Sequence, residues 1–245
     1  NTFNFVKSYA TKTEKPKKLN IEDKWMLSRL NSLVESFTKN FQAYNGYKAA
    51  AELYDFILND FSRWYIKLIR DRVWPSYEGK DKAAAMYTLY EVSRNVVRLL
   101  APITPFLAEH VYQDVLKPLG EKKESVHLCD WPQADKKLID KKLEANMSLA
   151  KTIVETASSI RAEAKIKSRW PLAEVRVSGS KTKETVEKLS SVIELMCNVK
   201  KASYTDKASN NFVSKEIGQG SVYLDTKMTG ELKEEALLRE VLRKV

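Results

Sequence analysis

Phe61-Ser62-Arg63-Trp64-Tyr65-Ile66-Lys67-Leu68-Ile69-Arg70-Asp71-Arg72-Val73-Trp74 carries two stripes at once. At about 100° per residue, Ile57, Phe61, Trp64, Tyr65 and Leu68 share one face, and Arg63, Lys67, Arg70 and Trp74 line up nearly opposite. An apolar stripe of that kind makes a helix that packs on one side. Trp64 and Tyr65 read as core aromatics. The basic face reads either as an ordinary solvated surface or as a surface that meets an anion. Trp74 projects among the cations, where burial against its own helix does not account for it. Arg72 falls inside the apolar stripe, where a guanidinium needs a carboxylate partner or a place at the helix end. The sequence alone names no partner for it.

The same period extends outward from this stretch. Residues 1–20, with Lys7, Lys12, Lys15, Lys17 and Lys18 around Pro16, read as a linker or arm. From Ile21, apolar residues at Met26, Leu30, Leu33, Val34, Phe37 and Phe41 predict a first helix that Asn45-Gly46 ends. A second, long helix runs from about Tyr47 to Val73 and stops before Pro75. A third begins near Asp81, an N-cap candidate, with Met86, Leu89, Tyr90, Ser93, Val96, Val97 and Leu100 inside. Thr104 suits an N-cap and Pro105 the first position of a fourth helix, which carries Leu107, Val111 and Val115 inward. Residues 120–133 read as a loop, and a fifth helix covers about 135–164. The prediction is a mainly α chain with an up-and-down helix bundle over 21–165.

Past Pro171 the period changes to two, with Ala173, Val175 and Val177 alternating with Glu174, Arg176 and Ser178. A helix with Val186, Leu189, Ile193 and Met196 follows, then strand candidates near 201–205, 211–217 and 220–225, and a helix from Gly230. Residues 166–245 therefore read as a small α+β module.

Lys and Arg outnumber Asp and Glu, 42 to 32, and the net charge of +10 favours a polyanionic partner without identifying it. No apolar run of about 18 residues is present, so no membrane span is predicted. The start has neither an initiator Met nor a leader pattern, and a fragment of a longer protein is expected. Cys129 and Cys197, 68 positions apart, do not make a zinc site with His110 and His127, and two thiols fit a reducing, cytoplasmic setting. His110 reads as a partly buried structural histidine. No glycine-rich phosphate loop occurs and no acid–base pair can be nominated, so no catalytic residue is assigned.

A second basic cluster, Arg161, Lys165, Lys167 and Arg169, runs into Trp170-Pro171 where a helix gives way to a strand. Cations near a helix C-terminus are also favoured by the dipole, so a solvated cap is the plainer reading. Two basic clusters with aromatics in one basic chain raise the case for single-stranded or loop RNA, whose bases meet aromatic faces while cations hold phosphates.

Six segments carry a family resemblance. Leu100-Ala101-Pro102-Ile103-Thr104-Pro105-Phe106-Leu107-Ala108-Glu109 resembles a segment of the anticodon-binding bundle of class I aminoacyl-tRNA synthetases of the isoleucine, valine and leucine group. Asp23–Asn31 and Asn59–Ile66 resemble its first and second helices. Ser125–Pro132 and Arg161–Leu172 are most similar to the isoleucyl-tRNA synthetases of that group, and Leu232–Val245 to the part that follows in them. The absence of a cysteine-rich end module makes the chain resemble the archaeal or eukaryotic type.

The resemblance implies a tRNA(Ile)-binding region, for the anticodon stem and loop, of an ATP-dependent ligase. The activation chemistry, with ATP and Mg, would belong to a catalytic domain with His-Ile-Gly-His and Lys-Met-Ser-Lys-Ser motifs. Neither motif occurs here, and Lys165-Ile166-Lys167-Ser168-Arg169 only superficially resembles the second. Catalytic and editing domains of the same polypeptide are thus expected partners, with proteins of a synthetase complex. The bundle is expected to dock along the anticodon stem through Arg63, Lys67 and Arg70, with Trp74 near unstacked bases. Arg161, Lys165, Lys167, Arg169 and Trp170 would form a second contact. The anticodon region of the valine enzyme and a basic helical protein-interaction module remain as alternatives. The last helix is expected to run on past the end of the chain.

Overall fold

In the computed structural model, which describes residues 2–206 and 212–242, the chain divides after Lys141 into two units. The first begins with a short helix, α1 (Thr2–Tyr9), where the lysine-rich composition predicts an arm. Val6 is fully buried, Thr2 Oγ1 donates to Ser62 Oγ at 3.0 Å, and Lys7 pairs with Asp114 at 2.6 Å. These contacts order the segment despite its charge.

Helix α2 (Ile21–Gln42) buries Met26, Leu30, Leu33, Val34 and Phe37 of the predicted stripe, and Trp25 beside them, while Phe41, also expected inside, is exposed. The helix packs against α3 (Gly46–Asp55) and α5 (Lys82–Leu100), whose inner residues Leu89, Tyr90, Ser93, Val96 and Val97 also agree with the period. The long second helix has an unforeseen middle. Phe56–Tyr65 is π-helical, and α4 (Ile66–Ile69) returns to α geometry before a turn over 70–73. Buried pairs recur every four residues, at Asp60/Phe61, Trp64/Tyr65, Leu68/Ile69 and Arg72/Val73. Four residues at 100° overshoot a full turn by about 40°, so a strict α-helix would carry these pairs off the core. Wider π turns deviate in the opposite sense, so the π-helical run and the α turn after it together keep the pairs toward one side. Ile57, placed inside by the 100° projection, is only half-buried, while Asp60 is buried.

Helix α6 (Pro105–Val111) continues into a π-helical turn, Tyr112–Leu116. Val111 and Val115 are buried as expected, but Leu107 is 52% exposed. His110 is exposed as well, so it is not the half-buried histidine that its helix suggested. Thr104 and Asp81 stand at N-cap positions without capping through their side chains.

Helix α7 (Lys141–Glu163) belongs to the second unit from Lys142 onward, whereas the sequence assigns it to the bundle. Its apolar face, with Met147, Ala150, Ile153, Ala157 and Ile160, is fully buried. Strand β1 (Leu172–Ser178) crosses through α8 (Lys183–Cys197) to a parallel partner, β2 (Val199–Tyr204), with Leu172 opposite Val199. A hairpin of β3 (Val213–Ile217) and β4 (Gly220–Leu224) pairs antiparallel to β1, giving the order β2-β1-β4-β3. Gly179, at φ +114°, ends β1 against the Gln219 carbonyl, a place that a Cβ could not occupy. Helix α9 (Gly230–Leu242) follows. The helix bundle and the small α+β module of the sequence reading are both present. The strand start predicted at 211 and the last residues, 243–245, lie outside the described residues.

Candidate nucleic-acid interface

Arg72 has the carboxylates that its place in the apolar stripe demanded. Its Nη2 donates to Asp23 Oδ2 at 2.8 Å and to the Asp81 carbonyl at 2.8 Å, and its Nη1 donates to Glu22 Oε1 at 2.5 Å. Asp81 Oδ2 completes the ion-pair set, 2.9 Å from Nε. Asp23 is wholly buried and also accepts from the Tyr65 hydroxyl at 2.7 Å. Burial, followed by the charge of Asp23, pushes the Tyr65 phenol well above its ordinary value. Arg72 thus joins the turn after α4 to the starts of α2 and α5. Asp81 does not cap α5 with its side chain, since it instead meets Arg72, Asn20 and Tyr77.

This network sets the turn that carries Trp74. Lys82 Nζ donates to the carbonyls of Trp74, Pro75 and Tyr77 at 2.9, 3.1 and 3.0 Å, closing the turn from the other side. Trp74 is 51% exposed, and one side of its indole stacks on Tyr9 with centroids 5.6 Å apart and planes at 29°. Tyr9 in turn meets Phe5 at 4.8 Å. A shallow recess of about 410 Å³ opens beside the indole, bounded by Arg70, Asp71, Trp74, Ser76 and Tyr77. Arg63, Lys67 and Arg70 are exposed along the helix that leads to it. Arg63 Nη1 is steadied by Asn59 Oδ1 at 3.2 Å, and Asn59 by Asp55 at 2.7 Å. A row of cations ending at a half-open indole can hold phosphates and stack a base.

The second cluster, within the other unit, is divided by burial. Arg161 is 4% exposed, and its guanidinium donates to the carbonyls of Trp170, Cys197 and Asn198 at 2.8–2.9 Å, with Lys167 O at 3.5 Å. That corrects its assignment as a phosphate ligand, because it ties the end of α7 to the α8–β2 corner. Burial lowers its pKa. Lys165, Lys167 and Arg169 are exposed. Trp170 is half-buried and donates its indole N–H to Glu240 at 3.1 Å, while Lys167 sits 5.5 Å from the ring centroid and 3.6 Å from Glu240. The Trp170 hydrogen bond and the charge of Lys167 lower the Glu240 pKa. An acid 70 positions away therefore enters this basic cluster, which local spacing could not reveal.

Residues 23–177 match the family described as the anticodon-binding domain of tRNA ligase. The chain belongs to that family. The match covers more than half of this anticodon-binding chain, including both regions of interest. It is 42% identical to the isoleucine–tRNA ligase of Pyrococcus abyssi over 181 residues, 73% of this chain and 17% of that protein. The isoleucine–tRNA ligase of Methanopyrus kandleri is 44% identical over 179 residues, 73% of this chain and 16% of that protein. That of Methanothrix thermoacetophila is 31% identical over 91% of this chain and 28% of the ligase. The resemblance carried by Leu100–Glu109 and Arg161–Leu172 is thereby borne out. The anticodon-binding chain spans less than a third of the length of these relatives.

Sequence reasoning missed Tyr9, Lys82 and the carboxylates around Arg72. Only the misplaced arginine itself signalled that acids had to lie nearby. Among the described residues of the anticodon-binding chain, no group of three or more His, Cys, Asp or Glu is placed to hold a metal ion, and no helix is long and apolar enough to cross a membrane.

Proposed function

We propose that this chain is the tRNA-binding region of an isoleucine–tRNA ligase and that its own ligand is tRNA(Ile). The observation that carries the reading is the exposed row Arg63, Lys67 and Arg70 ending at Trp74, inside a chain that is about 40% identical to isoleucine–tRNA ligases. The cations contact phosphates of the anticodon stem, and Trp74 offers a stacking face to an unpaired base. Lys165, Lys167, Arg169 and Trp170 add a second contact. Binding at such a remote surface holds the acceptor end of tRNA at the site of chemistry, which is how distant contacts raise a rate. ATP and magnesium act in a catalytic domain of the same polypeptide, beside an editing domain, and synthetase-complex proteins are further partners. A reducing, cytoplasmic setting belongs to the same reading and is supported by the thiols of Cys129 and Cys197.

The test is equilibrium binding of tRNA(Ile), tRNA(Val) and an unrelated tRNA between about 50 and 200 mM salt, where phosphate-driven affinity falls steeply. Salt-sensitive binding that prefers tRNA(Ile) is expected. Absence of binding at the lowest salt sinks the proposal.

A further inference from the structure

The turn between α2 and α3 is a surface that the row of cations does not include. From Phe41 to Lys48 every residue is exposed, and the stretch reads Phe-Gln-Ala-Tyr-Asn-Gly-Tyr-Lys. Tyr44 is 98% exposed and Tyr47 is 89% exposed. Phenol rings are amphipathic contact groups, and two held this far into water at one helical tip give up the burial that aromatics ordinarily gain. Tyr44 also occupies a left-handed backbone position, φ +57°, which Gly or Asn would fill with less strain.

Along this stretch of sequence the charge has one sign. Between Glu35 and Glu52 the chain carries no acid, while Lys39 and Lys48 are exposed. The two flanking acids are engaged elsewhere: Glu35 pairs with Lys136 at 3.3 Å, and Glu52 accepts from Ser36 at 2.7 Å and from Asn40. Gln42 adds an exposed amide, a group that donates and accepts on base edges, while the side-chain oxygen of Asn45 accepts from Lys48 N and caps α3. Phe41 closes the base of the tip by stacking on Trp131, with centroids 6.2 Å apart. Aromatics, amides and lysines without acids are the composition of a surface for unpaired bases flanked by phosphates.

Position supports the same occupant. Helix α2 begins beside Arg72 and ends at this tip, and its 22 residues span about 33 Å at 1.5 Å per residue. Arg63, Lys67 and Arg70 lie on the helical run that returns from the tip toward Trp74. The tip and Trp74 thus lie toward opposite ends of this helical pair.

We infer that the α2–α3 tip is a second RNA-binding site, at which Tyr44 and Tyr47 stack on unpaired bases of an RNA loop while Lys39 and Lys48 hold the adjoining phosphates. The inference rests on the tRNA-binding reading given above and extends it to a new surface.

The test compares the full 245-residue chain with Tyr44→Ala, Tyr47→Ala and the Phe substitutions at both positions, titrated with tRNA(Ile) and with a blunt RNA duplex. Both rings are exposed, so the folded state, checked by circular dichroism, is unchanged. Each Ala variant is expected to weaken tRNA binding roughly 5- to 150-fold, the range for removing a base stack. The Phe variants retain affinity, the salt slope stays the same, and duplex binding is unaffected. If the unsubstituted chain binds tRNA but both Ala variants bind equally well, the tip is not an RNA site and serves a protein contact instead. An equal weakening on the blunt duplex also overturns the inference. Failure of the unsubstituted chain to bind any tRNA is a separate result that removes the parent reading.

Discussion

Arg72 and Asp23, 49 positions apart, meet through Nη2 and Oδ2 at 2.8 Å in the interior of the first unit. The pair stands at the junction of three helical segments, and the turn with Trp74 follows two residues later. Burial would lower the arginine's pKa, but the hydrogen bond and charge of Asp23 and the charge of Glu22 outweigh it and raise the value. The guanidinium therefore stays charged, and the carboxylates depend on it.

Arg72→Ala is expected to destabilise the first unit by about 3–5 kcal/mol, the range for removing one partner of a buried ion pair. A loss of unfolding free energy below about 1 kcal/mol in urea titration would contradict the role assigned to Arg72. Arg72→Lys recovers only part, because an ammonium cannot reach Glu22, Asp23 and Asp81 together.

Arg161→Ala is expected to lower stability by roughly 1–3 kcal/mol or more through the carbonyls it leaves without donors. Its salt slope for tRNA binding stays that of the unsubstituted chain. A slope reduced with unchanged thermal stability would return Arg161 to the phosphate ligands.

Substituting Arg63, Lys67 and Arg70 by Ala together is expected to reduce affinity for all tRNAs alike. The slope of log affinity against log salt should shrink by about 0.7–0.9 for each phosphate that the variant no longer neutralises. An unchanged slope would place the phosphates elsewhere.

At alkaline pH the chain is expected to lose stability. Burial, then Asp23 for Tyr65 and the Glu121 hydrogen bond for Tyr90, raises both phenols in the folded state. Their contribution is complete below about pH 10, the value of an unfolded tyrosine, and is lost as pH rises through the folded values. Urea midpoints at pH 8 and 11 measure it, and Tyr65→Phe should flatten the fall. A midpoint as high at pH 11 as at pH 8 would refute it.

On the acid side, burial works against the ionised form of Glu121, but Tyr90, Arg98 and Arg94 outweigh it and hold its carboxyl below the usual range. The stability it contributes is present above about pH 4.3 and is lost as pH falls through the lower folded value. Glu121→Gln should flatten the acid limb of the stability profile, and an unaltered limb would assign acid unfolding to other groups.

The legible parts of the fold were those fixed by neighbours in sequence. The inner residues of α2, α5 and α8 largely follow the 3.6-residue period, and β1 follows the period of two at Val175 and Val177, though Leu172 rather than Ala173 is buried at its start, because each pattern records which side of one element faces the core. Arg63, Lys67, Arg70 and Trp74 are exposed as expected, although Arg63 lies in the π-helical stretch and Arg70 and Trp74 follow α4, so the 100° period is not what exposes them. The π-helical stretch was not legible at 100° per residue, although its four-residue recurrence of buried pairs is present in the chain. The lysines of the 1–20 segment misled for residues 2–9, where Lys7 is the one lysine, since a single buried Val6 with the contacts of Thr2 and Lys7 is enough to seat a short helix.

The sequence by itself determined the helical and strand periods, the two basic clusters, the family segments and the demand of Arg72 for acids. The tertiary structure alone decided which acids answer that demand. It also decided that Arg161 belongs to the carbonyls of Cys197 and Asn198 rather than to an anion, and that α7 joins the sheet unit. The physical reason is range. Periodicity and capping act over a few residues, whereas the partner of a buried charge is chosen by packing between segments tens of residues apart, where desolvation makes a mismatch costly.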